Sequence, residues 1–158
     1  MLSQAFIFHC DILGQIEAAG TEYFDTLIAI PGNTASIESI LGYALTVTAT
    51  AIHVSRLYIE LVPSHPAHIE ANVTFLTADD AEIDVTLWGC FAITVEAIQA
   101  AREGARVYIG SAHFVFSTDD ERYKELEERA FVGEGKLLME ADDRIGVQYI
   151  IDEVVSAE

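Results

Sequence analysis

Basic residues are scarce in this chain of 158 residues. Eight lysines and arginines stand against 26 aspartates and glutamates, for a formal charge of −18. That balance argues against nucleic acid and anionic membranes as partners, since both call for basic patches. It fits a surface kept hydrated at high salt by its carboxylates. Cysteine is scarce too. Cys10 and Cys90 are too few for a disulfide framework and lack metal-ligand spacing. Both are expected to be buried packing residues in a reduced cytoplasm. No apolar run reaches membrane-spanning length. No basic segment followed by a long apolar run marks a signal peptide. His9, His53, His65, His68 and His113 have no HExxH-type spacing. His65, between Ser64 and Pro66, reads as a turn residue. A phosphate-binding glycine loop, a nucleophile-elbow serine, repeats and low-complexity runs are all missing.

What is there is a chain 51% hydrophobic, enough for one core and one domain over residues 1–158. Ala5 to Cys10 reads as a buried strand. Ile16 to Ile30 has apolar residues at helical spacing, and Pro31-Gly32 stops it. Asn33 to Leu41 is either a short second helix or an ordered loop. Tyr43 to Thr50 and Val54 to Val62 have β texture. Ile69, Ala71, Val73 and Phe75 alternate with polar residues, as do Ile83, Val85 and Leu87. The turn Ala78–Ala81 between them predicts a hairpin. Val95 to Gly104 is helix-like or irregular, and Arg106 to Ser117 is a core strand. Ser117 to Glu121 has the acids of a helix start. Lys136 to Val155 is extra β or a docking segment, so residues 119–158 read as a C-terminal helix and extension. Trp88 and the phenylalanines are assigned to the core.

The opening stretch, Phe6 to Leu27, combines a strand, an acid at its end (Asp11), a glycine turn (Gly14) and a helical pattern. A helix start offers unpaired N–H groups and favours negative charge. Phe8, Cys10, Asp11, Gly14, Gln15 and Ile16, with Tyr23 and Phe24 beyond, resemble the hotdog-fold thioesterases of the 4-hydroxybenzoyl-CoA type. The family's aromatic-Asn-Tyr is replaced here by Glu17-Ala18-Ala19-Gly20. The resemblance implies an α+β hotdog fold, a curved antiparallel sheet wrapped around a long central helix. It also implies hydrolysis of an acyl thioester on coenzyme A or a carrier protein, and a homodimer or homotetramer paired at sheet edges. It implies no metal, and no cofactor beyond the coenzyme A of the substrate. The alternatives are an acyl-thioester-binding protein without catalysis, a hotdog dehydratase or isomerase, and an oligomerising domain.

On that resemblance Asp11 attacks the thioester carbonyl or activates a water. The residues alone equally allow a carboxylate that caps the turn at Gly14. The family's spacing puts the oxyanion donor at the Ala18 N–H. Gln15 either orients a water or carbonyl or is simply polar at the helix start. Glu17 is a reserve base or helix solvation, and Glu22 likewise. Arg56, Arg102 and Arg106 are the candidates for the coenzyme A phosphates, or else partners for surface acids.

Overall fold

The computed structural model describes residues 1–11, 35–60, 67–92, 94–140 and 145–156. In chain order they form β1 (Leu2–Asp11), β2 (Ala35–Ser39), β3 (Thr48–Glu60), β4 (Ala67–Thr77), β5 (Glu82–Phe91), α1 (Val95–Arg102), β6 (Val107–Ser117), β7 (Ala130–Met139) and β8 (Ile145–Val154). A 3-10 turn, Lys124–Glu128, lies between β6 and β7. Each strand pairs antiparallel with the next, and β8 returns to pair with β1. The sheet is therefore a closed barrel of eight strands.

This corrects the hotdog expectation. The fold is nearly all-β, and the one α-helix among the described residues has 8 residues. Residues 16–30, expected as the long helix, lie outside the described part. The physical difference lies in the tail. What read as an extension is β7 and β8, which bridge β6 and β1 through Leu137↔Val147 and Cys10↔Val147. Closure removes the free edge on which edge-to-edge pairing rested. Asn33 to Leu41 contains β2 rather than a helix.

Alternation decides what faces inward. Phe6, Phe8 and Cys10 are buried on β1; Val73 and Phe75 on β4; Ile83, Val85 and Leu87 on β5; Phe114 and Phe116 on β6. The β4–β5 hairpin forms as the sequence predicts, with Val73 opposite Val85. Its turn places Asp80 at φ 66°, a left-handed position that aspartate tolerates better than most residues. β5 and β6 approach each other closely at two glycines. A Cβ on Gly89 would lie 2.2 Å from the Ser111 carbonyl oxygen, and one on Gly110 2.1 Å from that of Cys90. Glycine is needed at both places.

The helix α1 forms where the chain must cross from β5 to β6. The Thr94 side chain accepts a hydrogen bond from the Ala97 N–H at 3.0 Å. Glu96 stands in the first turn and Arg102 in the last, both favourable to the helix dipole. Ala97 and Ala101 are buried in the core.

Candidate functional site

The antiparallel order divides the connections between the two ends of the barrel. At one end lie the chain termini, the turns 40–47 and 78–81, and the segment 118–129. At the other, β1, β3, β5 and β7 finish and β2, β4, β6 and β8 begin. The α1 crossing belongs to this second end.

Inside, small and large residues face each other. Ala35, Ala49, Ala51 and Ala71 line the β2–β4 side, while Phe8, Phe114 and Tyr149 come from β1, β6 and β8. Two glycines of β7 make room for the rings. A Cβ on Gly133 would meet the Phe114 ring at 2.7 Å, and one on Gly135 would meet Tyr149 Cε1 at 2.8 Å. Tyr149 therefore lies flat over its register partner Gly135. Phe114 and Phe8 touch it edge-on, at centroid distances of 5.3 and 6.1 Å.

Tyr149 is the polar group at the heart of this interior. It is 3% exposed, and no hydrogen bond reaches its hydroxyl from a described residue. Burial pushes its pKa well above the ordinary phenol value, and the neighbouring Cys10 adds to that. The phenol thus stays neutral and keeps its proton. A buried tyrosine O–H usually has a partner. Cys10, buried beside it, faces inward from the next position along the β1–β8 ladder.

Polar groups also gather on the outside of the second end. His9 Nε2 lies 3.0 Å from Glu140 Oε1, with both side chains about a quarter exposed. The pair crosses over Gly146, where a Cβ would sit 2.6 Å from that oxygen. The distance is that of an ion pair, but the alignment is not that of a hydrogen bond, and Oε1 has no hydrogen-bond partner among the described residues. On β4 and β5, His68 Nδ1 lies 3.4 Å from Cys90 Sγ. Cys90 is exposed, which corrects its assignment to the interior. Among the described residues no three His, Cys, Asp or Glu are placed to hold a metal ion.

The residues singled out in the sequence scatter. Asp11 is the last residue of β1, opposite Gly146 and at the second end. Gly14, Gln15, Glu17 and Ala18 lie outside the described residues. Arg56 lies on β3 opposite Asn72. Arg102 ends α1, and Arg106 is exposed just before β6. In barrel order, β4 and β5 separate Arg56 from the other two. Tyr149 was missed. Its signal was the alternation of Val147, Tyr149 and Ile151 with Gln148, Ile150 and Asp152, a half-buried strand in the segment read as a tail.

These features define a closed antiparallel β-barrel of eight strands. Solved structures share that fold. A conserved protein of unknown function from Rhodopseudomonas palustris is 17% identical, with a TM-score of 0.61 over 98% of this chain and 99% of that one. A protein of unknown function from Clostridium acetobutylicum is 12% identical, with a TM-score of 0.60 over 98% and 97%. A beta-barrel like protein from Acinetobacter baumannii is 16% identical, with a TM-score of 0.57 over 97% and 94%. The chain belongs to the DUF3237 family, described as a protein of unknown function, which it matches over residues 1–154. No curated protein matches it. Family and fold together overturn the resemblance to hotdog thioesterases, and with it the description as a hydrolase of that kind.

Proposed function

We propose that this protein binds a small, mostly apolar molecule inside the second end of its barrel. Tyr149 donates a hydrogen bond to an acceptor such as a carbonyl oxygen on that molecule. The observation that carries the reading is the buried phenol of Tyr149, neutral and without a partner among the described residues. An eight-strand barrel has an interior that side chains fill or that holds one small ligand. Ligand sites of this kind are apolar, with few polar groups to fix orientation. Tyr149 and Cys10 fit that pattern among alanines and phenylalanines.

Nile Red, a neutral dye with a carbonyl acceptor, is a suitable first probe, followed by aromatic and aliphatic ketones. Wild-type protein should enhance its emission with saturable binding. Tyr149→Phe should weaken that binding about 3–10-fold, the worth of one ordinary hydrogen bond, while Tm holds or rises. Equal binding by both proteins, or none by wild type to any neutral probe, would overturn the reading. Acyl-CoA thioesters belong in the same panel. Thiol release by wild type and not by Asp11→Asn would show chemistry at this end in place of binding alone.

A further inference from the structure

The eight strands are unequally charged. β6 has no Asp, Glu, Lys or Arg in eleven residues, and β5 has none from Val85 to Phe91. In a chain with 26 acids this leaves a neutral strip on the outside of the barrel; Leu2–Cys10 of β1 and Ile145–Ile151 of β8 are neutral too, but only the β5–β6 strip carries the chain's tryptophan. Its outward positions pair across the strands: Thr86 with Val115, Trp88 with His113, and Cys90 with Ser111. Trp88 was expected in the core, yet it is 43% exposed, with Val115 at 47% and Tyr108 at 59%. One face of the indole stacks on His113 at 5.5 Å and 18°. Glu70, opposite Trp88 on β4, and Glu134, opposite Ser111 on β7, border the strip.

We infer that this strip is where two copies of the chain pack face to face, with both Trp88 rings near a two-fold axis. Charge selects the occupant. A basic partner would be drawn to the acidic faces and would gain nothing from a neutral strip. A second copy carries the same −18 and is repelled from every acidic face. On the strip it meets neutral side chains and an identical aromatic. Depletion of charge with enrichment of aromatics is the composition of an interface core, and a two-fold contact is self-complementary. A closed barrel offers no edge strand for pairing, so this contact is between sheet faces and not edge to edge. Glu70 and Glu134 fall at its rim, where salt screens their repulsion.

The test uses the full chain in buffer of about 0.5 M salt, where the Debye length is only a few ångströms. Light scattering should give twice the 17.3 kDa of the chain. Trp88 is the sole tryptophan, so its emission should shift to the blue as concentration rises. Trp88→Glu should weaken association at least about tenfold, as expected for a central aromatic, with circular dichroism and Tm unchanged. Val115→Glu should do the same while keeping Trp88 as the reporter, its emission now independent of concentration. A monomeric wild type at every concentration would overturn the inference. So would a dimer that neither substitution weakens.

Discussion

Tyr43 sits at the end of the barrel with the termini and Tyr149 inside it, midway along β8, and they differ in one respect that matters. Burial raises the pKa of both. Tyr43, pushed up to about 12, donates to Glu153 Oε2 at 2.8 Å. Arg129 donates to the same oxygen at 2.9 Å and also pairs with Glu125. Nearby, the Asp79 carboxylate accepts from Thr77 at 2.5 Å and from Tyr123 at 2.7 Å, and pairs with Arg122 at 3.0 Å. Leu126, 0% exposed, plugs the interior beneath these networks. Three of the eight basic residues are therefore committed to this end: Arg122, Lys124 and Arg129. These paired networks make this end a stability device. Around the Tyr149 phenol the described residues form no such network.

Four measurements would break or sharpen that contrast. The largest effect should come from Leu126→Ala, which empties the plug of the sealed end. A loss of about 2–5 kcal/mol is expected, or roughly 5–15 °C in Tm for a chain of this size. His9→Ala at the other end, which removes a pair about a quarter exposed, should cost under about 1 kcal/mol. Equal losses would erase the distinction between the ends.

Gly135→Ala should come next. Its Cβ would meet Tyr149 Cε1 at 2.8 Å, so the ring must move. A cost of about 1–3 kcal/mol is expected, and Nile Red binding should weaken with it. Unchanged binding would mean that the orientation of Tyr149 does not matter.

Acid should loosen the sealed end first. The Arg122 guanidinium holds Asp120 down to about 2. The Thr77 hydroxyl, then that of Tyr123, lowers Asp79, and the Thr118 N–H, then Lys124, lowers Glu127. Depressed carboxylates contribute stability that is present above their unfolded values of about 4 and lost as pH falls through the folded ones. Tm should therefore drop between about pH 4 and pH 2. Arg122→Gln should flatten that limb, and an unaltered limb would remove these networks from the account.

The smallest effect is a gain. Asp152 is raised by burial and then by Glu134, and its Oδ1 has no partner among the described residues. A raised carboxyl favours folding less when ionised, so Asp152→Asn should lift Tm at pH 7 by about 1–4 °C. No gain, or a loss, would show that the carboxylate has a stabilising contact.

The sequence by itself determined the β4–β5 hairpin and the β6 strand, and it left the α1 segment open between helix and irregular chain. The hairpin and the strand rest on alternation and turn chemistry, which are local and read over a few residues. Only the tertiary structure decided that the sheet closes. The pairing of β8 with β1 joins residues as distant as Leu2 and Val154, and no local pattern encodes a partner so far along the chain. Closure in turn set which alternating positions were inside, as with Tyr149, and which apolar residue was left out, as with Trp88. Strand order alone fits both an open sheet around a helix and a barrel. The deciding term is the burial gained when the last two strands seal against the first, a property of the whole chain.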